Sequence, residues 1–348
     1  MTDQAAALST LTTMRVGGVP ERIWVATSRE EVISMAGQMW AEAEDWLVIG
    51  GGSNVLIADE IPELQVLQVA SQGVETTKIG DSNEYLLRVE AGENWDDLVA
   101  ASVAAKLAGL EALSGIPGSV GAAPVQNIGA YGGEVSNTIQ RVEFLDYLTG
   151  EAEIIEAENL GLGYRDSIFK QGRQGIITWV EFKLTHLGGL SQPIIFPQLA
   201  KALAVDLGTQ VEVSRVREAV LALRATKGMV LDPADPDTAS CGSFFTNPIV
   251  SDRMARTLPA DAPRFENPAD DGLTVKLSAA WLIENAGIAK GYRIPGSNAG
   301  VSTKHSLAIT NRGGATAFEV LQLAELIQAR VANRFGVELQ PEPVLVGF

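Results

Sequence analysis

Apolar and polar positions change period several times along the chain, and each change predicts an element. Arg22–Ala26 reads as a short strand. Ser28-Arg29-Glu30-Glu31 then forms a capping box, with Ser28 bonding forward and Glu31 reaching back. Val32, Met35, Ala36 and Met39 recur at helical spacing and predict a helix to about Glu42. The apolar run Trp46–Ile49 predicts a strand that completes a βαβ unit. From Leu64 to Val89 the pattern is β, broken by Gly73 and by Asp81-Ser82-Asn83. Asn94-Trp95-Asp96-Asp97 opens a helix that runs through Lys106, with Leu98, Val99, Ser102 and Val103 on its core side. Gln140–Tyr147 and Glu151–Glu156 pattern as a hairpin around Thr149-Gly150, and Ile176–Thr185 as a further strand.

Beyond this point helices dominate. One includes Leu199–Val205, and a second covers Val213–Lys227 with Gly228 as its C-cap. Leu231–Asp237, rich in Pro and Asp, reads as a rigid linker and a domain boundary. Leu277–Ala286 is predicted as a helix, Ser297–Gly300 as a turn and Leu307–Thr310 as a strand. Ala315–Phe335 is a long amphipathic helix with Val320, Leu323, Ala324, Ile327 and Val331 on its buried side. Val337–Val346 is predicted to return as a strand. The mixture predicts an α+β fold, and 348 residues imply two or three domains rather than one core.

Composition narrows the function. With 46 % hydrophobic and 20 % charged residues the chain is an ordinary globular protein. No apolar run reaches the roughly 20 residues that cross a bilayer. The first residues lack the basic end and apolar centre of a signal peptide, so a cytoplasmic protein is expected. The net charge of −17 disfavours nucleic acid and anionic membranes as partners and makes individual cations informative. Cys241 is the only cysteine, which excludes an intrachain disulfide, and it is expected to be a buried, inert thiol. His186 and His305 are far apart, so no metal is expected.

Two glycine-rich stretches carry the candidate chemistry. Gly115-Ile116-Pro117-Gly118-Ser119-Val120-Gly121, followed by Ala122, combines glycines that admit close approach and positive φ with a proline that stiffens the turn. Backbone amides in such a loop can form a nest for phosphate oxygens. Gln126, Asn127 and Tyr131 follow with polar tips. Upstream, the strand Trp46–Ile49 opens into Gly50-Gly51-Gly52-Ser53-Asn54. The contiguous glycines do not fit a Rossmann fingerprint, and no Gly-Lys-Ser/Thr follows for a Walker A loop. Two such loops sharing one pyrophosphate imply a dinucleotide cofactor held by backbone amides. The absence of His and Cys from Met1 to Lys170 makes its attachment non-covalent.

GGGSNVL followed by SGIPGSVGAAPVQNIGAYG resembles the UDP-N-acetylenolpyruvoylglucosamine reductase family of peptidoglycan precursor synthesis. Tyr164–Lys170 (YRDSIFK), Gly242–Pro248 (GSFFTNP) and Pro341–Val344 (PEPV) match that family in the same order. The resemblance implies an FAD-binding domain of the PCMH/vanillyl-alcohol-oxidase type, in subdomains 1–68 and 69–230, and a substrate-binding domain over 231–348. It implies FAD as cofactor, NADPH as co-substrate, and a small-molecule substrate, the enolpyruvyl ether of UDP-N-acetylglucosamine. A monomer is expected.

By the same resemblance, Gly50–Asn54, Gly115, Pro117–Ser119, Gly121, Ala122, Gln126 and Asn127 contact the cofactor. Ser243 donates a proton, and Arg165 and Glu342 polarise the substrate carboxylate. Phe196, in a loop position where tyrosine is commoner, stacks on the uridine. Lys227 holds the diphosphate, and Tyr131, Tyr164, Asn247 and His305 complete the substrate contacts. Two alternatives share the flavin domain: a carbohydrate or alcohol oxidase, and a flavin-binding regulator without turnover.

Overall fold

The computed structural model describes residues 6–266 and 272–348. The chain divides into two compact units. The first includes Pro20–Gly52 and Pro62–Thr226; the second is built from Ala7–Val19, Ser53–Ile61 and Lys227–Phe348. This differs from boundaries at 68/69 and 230/231, because Ala7–Val19 and Ser53–Ile61 pack with the C-terminal residues.

In the first unit, Arg22–Ala26, Gln65–Val69 and Trp46–Ile49 form a parallel sheet in that order. The predicted βαβ strands are therefore not neighbours, since Gln65–Val69 lies between them. The helix Arg29–Glu42 buries Val32, Ala36 and Met39 in a cluster with Trp24, Leu67 and Val69. Its cap is a variant of the predicted box: Ser28 Oγ accepts from Glu31 N at 3.2 Å, but Glu31 reaches back to Thr27, accepting from its amide at 2.7 Å and its hydroxyl at 2.8 Å.

A five-stranded antiparallel sheet follows, in the order Ala152–Glu156, Ile139–Asp146, Gly175–Thr185, Glu84–Glu90, Val74–Lys78. The helix Trp95–Ala104 places Trp95, Leu98 and Val99 in one core with Val120, Val180 and Phe182. Trp95 and Phe182 meet edge to face at 5.9 Å. Pro197–Leu203 and Val213–Ala225 form a smaller core with Ile194 and Val211. The second of these helices ends at Ala225 with Thr226 as its cap, and Gly228, at φ +67°, lies two residues beyond.

The second unit is organised by the helix Ala317–Phe335, whose capping box joins Thr316 and Glu319. The predicted stripe Val320, Leu323, Ala324, Ile327 and Val331 is buried with Met14, Val16, Leu56, Phe244 and Phe245. The C-terminal strand is shorter than predicted. Only Val344–Val346 pairs, in parallel with Val55–Ile57. Pro341 and Pro343 have no N–H to donate, which ends a ladder there. The expected turn at Ser297–Gly300 gives way at Ala299, where Ala299–Val301 pairs with Ile309–Asn311.

Cys241 is buried in this unit and its Sγ–H lies 3.2 Å from the Val55 carbonyl. Burial pushes its thiol up to about 12, so almost no thiolate exists at neutral pH. A disulfide reagent absorbing on thiol release should find no reactive thiol in the native protein at pH 8 and one per chain after denaturation. Rapid reaction of the native protein would contradict this burial.

Candidate active site

The two glycine loops meet in the first unit. A Cβ added to Gly50 would lie 2.0 Å from Ser119 Oγ, and one on Gly51 would lie 2.7 Å from Gly118 Cα. A Cβ on Gly121 would meet the Ala91 Cβ at 2.6 Å. Real side chains cannot occupy such positions, so glycine is required for the contact itself. The second loop is tied down by Trp95 N to Gly118 O (3.1 Å), Val120 N to Glu93 O (2.9 Å) and Gly121 N to Ala91 O (2.8 Å). Gly115 N donates to Asp96 Oδ1 at 2.6 Å. Among the described residues the amides of Gly51, Gly118 and Ser119 have no protein acceptor. Amide donors left over where two loops touch suit a pyrophosphate, and the residues present fit a dinucleotide such as FAD.

Asn127 is fully buried at φ +44°. Its Nδ2 donates to Glu134 Oε2 (3.1 Å) and the Gly163 carbonyl (2.9 Å), and its Oδ1 accepts from Ser136 N at 3.0 Å. Asn127 therefore shapes the loop from within. Pro117, Ala122 and the half-buried Gln126 stay with the glycine loop, while Ser53 and Asn54 fall in the second unit.

Arg165, in the first unit, adopts φ +55°, a conformation costly for a residue with a Cβ. Its Nη2 donates to Gly129 O at 2.6 Å and its Nη1 to Asn127 O at 3.3 Å. The guanidinium carbon lies 5.5 Å from the Tyr164 ring centre. Tyr131, also left-handed at φ +50°, packs edge to face with Phe196 at 5.7 Å. An electrostatic neighbour of Tyr131 is Arg224, which the sequence reading missed. Arg224 is buried, with Tyr131 and Asp96 as its electrostatic neighbours, and burial lowers its pKa. A guanidinium nevertheless stays charged at neutral pH.

In the second unit, Ser243 is half-buried beside the fully buried Phe244 and Phe245. Residues 244–246 run antiparallel to 340–342: Thr246 N donates to Gln340 O (3.1 Å) and Glu342 N to Phe244 O (2.9 Å). Glu342 is thus fixed opposite the residue that follows Ser243. Its carbonyl also accepts from Asn54 Nδ2 at 3.3 Å. Asn247 turns its Oδ1 to Ala279 N at 3.0 Å, at the start of the helix Ala279–Asn285. That bond gives Asn247 a structural task.

Lys227 and His305 come together in the same unit, with Lys290 as a second lysine that no motif had marked. Burial is the main cause that pushes the His305 ring down to about 4, and the charges of Lys227 and Lys290 add to it. His305 is therefore neutral at physiological pH, beside two ammonium groups.

The comparisons decide what this arrangement belongs to. The chain is 52 % identical to UDP-N-acetylenolpyruvoylglucosamine reductase of Leifsonia xyli subsp. xyli, over 100 % of this chain and 99 % of that one. This chain belongs to that family. It is also 46 % identical to the reductase of Mycobacterium tuberculosis, over 99 % of this chain and 95 % of the relative. Residues 20–158 match the FAD binding domain, and 233–346 match the UDP-N-acetylenolpyruvoylglucosamine reductase C-terminal domain. The crystal structure of UDP-N-acetylenolpyruvylglucosamine reductase from Thermus caldophilus is similar, with 28 % identity, a TM-score of 0.65 and coverage of 98 % and 97 % of the two chains. The α+β fold with an FAD-binding domain is that of the reductase family. The full-length match to reductases disfavours an oxidase or a regulator. No helix among the described residues is long and apolar enough to cross a membrane.

The His305 environment has a measurable consequence. The folded state takes up this proton only near pH 4, whereas an unfolded histidine takes it up near 6.5. The stability that His305 contributes is therefore complete above about pH 6.5 and falls as pH drops towards 4. Proton NMR, with His186 replaced for assignment, should show the His305 ring titrating near pH 4. Lys227→Ala should raise that value only partway, because burial is the larger cause. A ring titrating near 6.5 in the native protein would contradict the arrangement.

Proposed function

We propose that the protein reduces the enolpyruvyl ether of UDP-N-acetylglucosamine to UDP-N-acetylmuramate at the expense of NADPH, with Ser243 supplying the proton. The pairing of 244–246 with 340–342, which holds Glu342 beside the Ser243 turn, carries this reading in a chain matched to reductases over its whole length. The two glycine loops would hold FAD, which would supply the hydride chemistry between NADPH and the terminal carbon of the enolpyruvyl group.

The residues must then manage charge and one proton. As hydride arrives at the terminal carbon, negative charge builds on the neighbouring carbon and spreads onto its carboxylate. Arg165 and Glu342 stabilise that charge, Arg165 as a fixed cation held by two carbonyls. Glu342 contributes in its protonated form or through hydrogen bonds. Ser243 O–H then passes its proton to the carbon bearing the ether oxygen, completing the lactyl ether. A serine hydroxyl is a weak acid, but the carbanionic acceptor is strongly basic.

Lys227, Lys290 and neutral His305 form the diphosphate grip: two ammonium groups and one ring N–H donor in a chain of net charge −17. Phe196 and Tyr131 offer an aromatic surface for uridine, with Arg224 as an electrostatic neighbour of Tyr131. Phe196 can stack but lacks the hydroxyl of a tyrosine. The protein acts as a cytoplasmic monomer in this reading.

Ser243→Ala tests the assignment. Stopped-flow measurement should show the variant binding FAD and bleaching normally with NADPH. Reoxidation by substrate should slow by ~10²–10⁴-fold, the usual cost of losing a positioned general acid. Slow bleaching with a normal second half-reaction would move Ser243 to the NADPH step and leave Glu342 as the first proton donor to examine.

A further inference from the structure

Asp96 lies in the first turn of the helix Trp95–Ala104, fixed by the buried Trp95 before it, whose Nε1 donates to Leu113 O at 3.2 Å. Its carboxylate serves two directions. Oδ1 accepts the Gly115 amide at 2.6 Å, at the φ +73° turn where the second glycine loop begins. The same group takes both ends of the Arg217 guanidinium, Nη1 to Oδ1 at 2.6 Å and Nη2 to Oδ2 at 2.8 Å. Arg217 and Asp96 side chains are 17 % and 31 % exposed, so the pair is shielded more than a surface ion pair.

Arg217 sits in Val213–Ala225, and Arg224, seven residues on, shares its helix face. Arg224 is a buried cation whose electrostatic neighbours are Asp96 and Tyr131, the ring that packs on Phe196. One carboxylate therefore faces two guanidinium groups, both on one helix, while also holding the flavin loop. Asp96 is held below the usual carboxylate range, with burial opposing and the Arg217 and Gly115 hydrogen bonds prevailing.

We propose that Asp96 is a positioning residue for the reaction: it sets the Gly115 turn of the flavin loop and, through Arg217, the helix whose Arg224 neighbours Tyr131 of the Tyr131–Phe196 pair. The dinucleotide end and the aromatic end of the first unit then share one anchor. The substrate part of this inference rests on the reading of Tyr131 and Phe196 as uridine contacts; the flavin part does not.

The variants Asp96→Asn, Asp96→Ala, Arg217→Ala, Arg217→Lys and the double variant Asp96→Asn/Arg217→Ala separate the two arms. Arg217→Ala should raise the KM for the enolpyruvyl substrate about tenfold, the scale of one hydrogen-bonded charge pair, with kcat nearly unchanged. Lysine should recover part of the loss, since it restores charge but not the fork. Asp96→Asn keeps the oxygen shared by Gly115 and Arg217 Nη1 but loses the charge and the second acceptor, so it should cost no more than Arg217→Ala, and the double variant should be no worse than Arg217→Ala alone. Asp96→Ala removes the Gly115 acceptor too and should also weaken FAD binding to deflavinated protein about tenfold. Additive losses in the double variant, or KM and kcat moving together, would overturn the link through Arg217. FAD bound by Asp96→Ala as tightly as by the native protein would overturn the link to Gly115. If the native protein shows no turnover of this substrate, the functional reading fails, and the FAD titrations still decide the role of Asp96 at Gly115.

Discussion

Gly51 and Gly118 approach so closely that a Cβ on the first would stand 2.7 Å from the Cα of the second. Much of the first unit follows from this contact. It needs a strand that ends at Ile49 and a loop pinned through Trp95, Val120, Gly121 and Gly115. It brings together amides that belong to segments far apart in sequence. The second unit uses the same device elsewhere: a Cβ on Gly18 would lie 2.1 Å from the Asp59 carbonyl oxygen. The carboxylate of that aspartate accepts from the Ala317 and Phe318 amides at 2.9 and 3.1 Å, at the N-terminus of the long helix. A carboxylate there is favoured by both hydrogen bonding and the helix dipole.

Charge is used sparingly and locally. The chain carries 17 more acidic than basic side chains, yet several of the residues assigned to the substrate are cations. Arg165 is held by the backbone carbonyls of Asn127 and Gly129. Arg224 and Arg217 share Asp96. Lys227 and Lys290 flank a histidine that burial keeps neutral.

Local patterns were legible in the sequence wherever one stretch of chain decides the outcome. Ser28 caps its helix, and Val320, Leu323, Ala324, Ile327 and Val331 are buried. The glycine loops announced a cofactor because a run of residues without Cβ has few other uses. Non-local pairing was not legible. Nothing in Val55–Ile57 says that it pairs with Val344–Val346, and Ser53–Ile61 groups with the C-terminal residues rather than with the strands on either side of it. Asn127 adds something the motif did not show: its side-chain hydrogen bonds lie within the protein. Arg224, Lys290 and the Asp96–Arg217 pair carry no motif at all. Their roles arise from what folding sets beside them.

The central claim is that the contact of the two glycine loops makes the flavin site, and Gly51→Ala addresses it most directly. One methyl group in the 2.7 Å gap must push the loops apart. The measurement is FAD stoichiometry and affinity of the purified variant, alongside its circular dichroism. The account predicts a folded protein with native secondary structure that has lost most of its flavin and regains it only at high FAD concentration. A variant that retains one tightly bound FAD per chain would contradict it.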